Sequence, residues 1–118
     1  MSLEKIEIKR KKNNMRYEDI TVVVPVKDRF NLLQLALNSI NNQNLLPRLV
    51  IIIDDGSDKK IKLNKKYKFN YKLLRNKKNI GVSASRNIGI KLCKTKYVSF
   101  IDTDDIWLKK KLKLQYDL

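Results

Sequence analysis

Residues 20–26, Ile-Thr-Val-Val-Val-Pro-Val, are apolar and β-branched without alternation, which predicts a strand covered on both faces. Asn31 with Gln34 three residues later has the form of a capping box and predicts a helix over 32–42. Leu33, Ala36, Leu37 and Ile40 then share one helical face. Pro47 ends the connection, and 49–53 reads as a second buried strand. Residues 58–67 are rich in lysine, with Ile61 and Leu63 among them, and make a poor helix at best. A third strand is expected over 71–74. A second helix opens near Ser83, with Ala84, Ile88 and Leu92 at i, i+4 and i+8. A fourth strand follows over 97–101, then a helix over 107–118 with Leu108, Leu112 and Tyr116 on one face. Strands alternating with helices imply right-handed crossovers and an α/β fold whose mostly parallel sheet has helices on both faces.

Residues 1–18 break this regularity. Lys5 to Lys9 alternates as an edge strand does, but Lys9-Arg10-Lys11-Lys12 and two asparagines follow, so 1–18 reads as a basic arm or linker. Residues 19–118 form the binding subdomain. The helical pattern is still running at Leu118, with no Gly or Pro stop, and reads as a truncated domain.

A length of 118 residues suits one domain with a single core. No segment approaches a membrane span, and the first residues lack a signal peptide's apolar stretch, so the expected compartment is the cytoplasm. The lone Cys93 allows no internal disulfide, in keeping with a reducing environment. With no histidine, a Ser/His or Cys/His catalytic pair or a zinc site is excluded within the chain. A metal here would be held by oxygen, which points to Mg2+ or Mn2+. The formal charge of +15 fits steering of anionic substrates, peripheral contact with anionic membrane at its inner face, or nucleic acid. The lysines are spread along the chain, and most read as solvated surface.

Within this basic chain five of the twelve acids stand in two places, each after an apolar run: Asp54-Asp55 and Asp102, Asp104, Asp105. Carboxylates this close raise one another's pKa unless a cation or hydrogen-bonding ligand compensates. Asp102-Thr103-Asp104-Asp105 follows Phe100-Ile101, at the strand end where α/β sheets bind ligands. Clustered oxygens there suit a hard divalent ion that also holds phosphates. As a plain turn the same residues would cap the next helix. Asp54-Asp55-Gly56-Ser57 is either a turn or a site where a carboxylate accepts from a base N–H or a ribose hydroxyl. Pro25 to Arg29 offers backbone for close approach to a nucleotide, with Asp28 beside it. Asn79-Ile80-Gly81 before Ser85-Arg86-Asn87-Ile88-Gly89 sets a glycine turn ahead of a helix, whose N–H groups attract anions. Gly89 in turn permits close packing on the sheet.

Taken together and in this order, these four segments over about residues 19–118 resemble the family 2 glycosyltransferases of the GT-A fold. The resemblance implies a Rossmann-like sheet binding a nucleotide-diphosphate sugar, of which a UDP-sugar is the usual case. It implies that Pro25 and Asp28 line the base and ribose pocket, that Asp55 contacts the base with Asp54 in support, and that Arg86 and Asn87 flank the sugar nucleotide. Asp102-Thr103-Asp104 matches the family's D-x-D signature. Asp104 and Asp105 would then hold the ribose and the metal, Mn2+ or Mg2+, with Asp102 nearby in the nucleotide-sugar site. The reaction implied is inverting transfer to an acceptor hydroxyl on a glycan or lipid-linked acceptor. The general base belongs to a later segment of such proteins, so no catalytic residue is assigned and the isolated chain is expected to be weakly active or inactive. The alternatives are a non-catalytic nucleotide-binding module or a receiver-like Mg-binding α/β module. The receiver pattern needs a phospho-accepting Asp on a middle strand and a Lys ending a later one, and the acids here come too late in the chain. A nucleic-acid module is disfavoured, because five acids in a cleft repel phosphates and no aromatic platform is evident.

Overall fold

The structure, a computed structural model, describes residues 17–103 together with Leu112. The elements are β1 (Tyr17–Val26), α1 (Phe30–Asn41), β2 (Leu46–Asp54), β3 (Asn70–Arg75), α2 (Val82–Leu92) and β4 (Tyr97–Phe100). All four strands pair in parallel, in the order β3-β2-β1-β4. The chain thus steps outward from β1 to β3 and returns to the far side of β1, so the order reverses between β1 and β4. Crevices open at such reversals, beyond the carboxyl ends of the strands.

The unbroken apolar run of β1 is explained by its two covered faces. Ile20, Val22, Val24 and Val26 pack with α1 residues Leu33, Ala36, Leu37 and Ile40 in the larger core. Val23 faces the other way, with Ile51 and Ile53, toward Ile88 of α2. Each fully buried aliphatic side chain here contributes about 1.5–3 kcal/mol relative to exposure.

Several boundaries differ from the sequence pattern. The capping box does not form: α1 begins at Phe30 after Arg29, with no side-chain cap, and the Leu33 N–H already donates to the Arg29 carbonyl at 2.8 Å. Asn31 therefore lies inside the first turn, with its amide outward. Pro47 belongs to β2 rather than to the connection before it. It precedes Leu49, the first residue paired with β3, where β2 has a neighbour on one side only and a missing N–H is tolerated. In α2 the buried residues are Ser85 and Gly89, whereas Leu92, expected to be inward, is exposed. A Cβ on Gly89 would overlap Val23 Cγ1 and lie 2.8 Å from its Cγ2. The helix therefore sits on the sheet along its smallest residues. Residues 55–69 form neither helix nor strand, although Ile61 and Phe69 enter the larger core.

The arm before Tyr17 and the helix expected over 107–118 lie outside the described residues, Leu112 excepted. Leu112 is helical and buried, and its N–H donates to Gln43 Oε1 at 3.1 Å. No helix among the described residues is long and apolar enough to cross a membrane.

Candidate functional site

A cavity of about 720 Å3 opens where the strand order reverses. Its walls come from the end of β1 and the loop after it (Pro25, Val26, Lys27, Asp28, Arg29), from Asp55 after β2, and from the turn into α2 (Asn79, Gly81, Val82). Arg86 of α2 and Asp102-Thr103 after β4 complete it. Sequence positions far apart converge because parallel strands carry their carboxyl ends to one edge.

Asp28 holds a backbone φ of 60°, the left-handed region that Asp tolerates better than most residues. Reciprocal hydrogen bonds hold it there. Its N–H donates to Ser57 Oγ at 2.8 Å, and its Oδ1 accepts from the Asp58 N–H at 2.7 Å. The β1 and β2 loops are thereby clipped together across the cavity mouth.

Asp54 and Asp55 have different jobs. Asp54 is only 1% exposed and does not line the cavity. Its Oδ2 pairs with Arg75 Nη1 at 3.0 Å and its Oδ1 accepts from the Ser57 N–H at 3.0 Å, while Arg75 Nη2 donates to the Ser57 carbonyl at 2.7 Å. This acid is a brace behind the wall. Asp55 faces the cavity, and its Oδ1 accepts from the Ile80 N–H at 2.8 Å and Asn76 Nδ2 at 3.0 Å. Its Oδ2 accepts from the Gly81 N–H at 2.9 Å. Burial pushes the Asp55 carboxyl up, but hydrogen bonds from Ile80, Asn76, Gly81 and Ser85 outweigh it and hold the group below its usual value of 3.8. The N–H groups of the glycine turn, expected to face an incoming anion, thus serve partly to hold an anion of the chain itself.

At the opposite wall Arg86 Nη2 donates to Asp102 Oδ1 at 2.7 Å, and the guanidinium stands 5.8 Å from the Phe100 ring centre. Arg86 Nε is buried with no partner among the described residues. The Asp102 side chain is 44% exposed. Of the expected site residues, Pro25, Asp28, Asp55, Arg86 and Asp102 come together here. Asn87 is exposed on α2 and does not line the cavity. Asp104 and Asp105 lie outside the described residues. Sequence reasoning passed over Lys27 and Arg29 as lining residues and Arg75 and Asn76 as braces. The available signal was a polar pair directly after the third apolar run, at another strand's carboxyl end.

Comparison with known proteins supplies the family. An uncharacterized glycosyltransferase of Rickettsia bellii is 36% identical over 106 residues, covering 88% of this chain and 15% of that protein. The poly(ribitol-phosphate) beta-N-acetylglucosaminyltransferase TarP of Staphylococcus aureus is 34% identical over 104 residues, covering 83% of this chain and 32% of TarP. Among solved structures, S. aureus TarS 1–349 in complex with UDP superposes with a TM-score of 0.74 at 28% identity, covering 83% of this chain and 31% of that one. The complex of TarS 1–349 with UDP-GlcNAc gives 0.70 at 25% identity. The chain therefore spans a third or less of the length of these relatives. Its α/β sheet is of the Rossmann-like GT-A type, and with residues 21–118 matching the glycosyl transferase family 2 model, the chain belongs to that family.

Proposed function

We propose that this chain supplies the donor site of a glycosyltransferase, binding a UDP-sugar for inverting transfer to the hydroxyl of a glycan or lipid-linked acceptor. The observation that carries the reading is the cavity at the β1/β4 reversal, in a sheet that superposes on TarS bound to UDP. Pro25 and the clipped Asp28 loop form the nucleoside wall. Asp55 accepts from a base N–H, while Asp54 keeps the wall rigid from behind. Lys27, Arg29 and Arg86 attract the diphosphate, and the Asp102 contact aims the Arg86 fork. Asn87, exposed on the same helix, does not line the wall.

The donor chemistry fits Mn2+ or Mg2+. The cavity offers carboxylate oxygens with no histidine or cysteine, and Asp102, with much of its side chain in solvent, leads directly into Asp104 and Asp105. Asp104 and Asp105 would hold the ribose and the ion, with Asp102 nearby. A bound divalent ion there supplies charge neutralisation of the leaving nucleoside diphosphate. No described residue is assigned as the base that takes the acceptor proton.

Thermal unfolding tests the reading. UDP with Mn2+, at about a hundred times Kd, stabilises by about 2.7 kcal/mol and should raise Tm by roughly 10 °C in a domain this small. With EDTA the rise should be much smaller. The double variant Asp104→Asn/Asp105→Asn should lose the metal-dependent part. Equal shifts with Mn2+ and EDTA would instead favour a nucleotide-binding module without the metal.

A further inference from the structure

Helix α1 has no charged residue among its 12, although 33% of the chain is charged. A helix on a solvated surface ordinarily carries charged side chains on its outer face. Here the outer face presents Asn31, Gln34 and Asn38 together with leucines. Leu35 is 51% exposed, and Leu32, its neighbour at i−3, is exposed as well. The charges lie instead on the segment packed alongside. Residues 59–68 hold six lysines, all exposed, and neither 29–53 nor 59–78 contains an acid.

Helix and segment form one surface. Leu35 and the three amides share a cavity of about 460 Å3 with Lys65 and Tyr67. Lys65 Nζ donates to Asn38 Oδ1 at 2.7 Å, and the Lys68 N–H donates to Asn41 Oδ1 at 2.7 Å, so the two are tied at two points. The Tyr67 ring meets that of Tyr71 edge-on, with centres 6.0 Å apart, and the exposed Tyr71 extends the surface onto β3. Exposed leucines, tyrosines and a bank of lysines, with uncharged amides between them, suit the boundary of an anionic bilayer. Aliphatic side chains enter the acyl edge, tyrosines sit at headgroup depth, and lysines attract the phosphates. Single-stranded nucleic acid needs a bare ring face to stack on. Tyr67 instead stacks on Phe69 with centres 4.9 Å apart, and Lys65 Nζ stands 5.8 Å from its ring centre. Tyr97, Val98 and Phe100 of β4 are exposed too, but Lys96, which leads into them, has a buried Nζ and offers lipid phosphates little.

We propose that the outer face of α1, with residues 59–71 beside it, docks the protein on an anionic lipid bilayer. Leu32, Leu35 and Tyr71 seat in the interface, and the lysines hold the headgroup phosphates. Arg29, the residue before α1, lines the donor cavity, so docking brings that cavity near the lipid surface. The surface is argued from exposure and charge, and it stands whether or not the cavity takes a nucleotide sugar.

The test is co-sedimentation of the full chain with vesicles of mixed phosphatidylglycerol and phosphatidylcholine, beside vesicles of phosphatidylcholine alone, with UDP binding measured in parallel. Wild type should bind the anionic vesicles and lose most of that binding on the neutral ones. Lys62→Gln/Lys66→Gln should weaken binding by about fivefold or more and flatten its salt dependence. Leu35→Gln should weaken it by about threefold or more with the salt dependence kept, because insertion is lost and no charge is. Lys91→Gln/Lys94→Gln, an equal charge change at the end of α2, should alter it by less than about twofold. UDP affinity should be the same in all three variants. Equal losses in the two lysine pairs would overturn the surface in favour of general charge. Wild-type binding by Leu35→Gln, or no binding by wild type, would overturn it as well. Tighter binding of single-stranded DNA through Lys62 and Lys66 would assign the face to nucleic acid. A wild-type dimer that Leu35→Gln splits, with vesicle binding intact, would assign it to a second copy. If wild type binds vesicles through this face but not UDP, the docking surface stands and the donor reading fails.

Discussion

Asp55 ionises below 3.8 in the folded chain because donors from Ile80, Asn76, Gly81 and Ser85 overcome the cost of its burial. The sign of the pH effect follows. With the folded value depressed, the carboxylate's contribution to stability is complete above 3.8 and is lost as pH falls through the lower folded value. In Asp55→Asn, unfolding free energy from urea titrations should therefore fall less steeply between about pH 5 and pH 2 than in wild type. An unchanged slope would mean that the carboxylate is not held by these donors. The variant should also be less stable at neutral pH, by about 1–3 kcal/mol, because an amide cannot accept at both oxygens. The family resemblance implied that Asp54 stands in support of Asp55, without saying what holds either. Adjacent strand-end side chains point to opposite sides, and only the partners on each side, Arg75 for one and the glycine turn for the other, separate brace from wall.

Helix α2 carries the site because it can sit low on the sheet. Gly89 makes this possible, since any Cβ would meet both methyl groups of Val23. Gly89→Ala gains about 1 kcal/mol of helix propensity but forces an overpacked contact costing about 1–3 kcal/mol. The net should be destabilising, read as a lower urea midpoint at unchanged slope. A higher midpoint would show that the helix is not seated there. Element type was legible in the sequence for all four strands and both described helices, since buried strands and amphipathic helices write their periods directly. The ends were less so. The start of α1 was misplaced because the left-handed Asp28 and its clip to Ser57, not a capping side chain, turn the chain into the helix. On α2 only Leu92 was misjudged: Ile88 packs on the sheet and Gly89 sits close to it as expected, whereas Leu92, the last residue of the helix, is exposed.

At the scale of the molecule, β1 is both the centre of the sheet and one wall of the cavity, and it begins at Tyr17. Removing residues 1–16 should therefore leave UDP binding unchanged within about twofold by calorimetric titration, and a large loss would make the arm part of the site. The sequence by itself determined the fold class, the family resemblance and the strand-end segments that meet at the cavity. These are local matters: period, turn chemistry and short motifs are written in neighbouring residues. Only the tertiary structure decided which acids face the cavity and that Arg75 and Asn76 brace it. Those depend on which strands lie side by side, and the order β3-β2-β1-β4 joins residues that no local pattern connects.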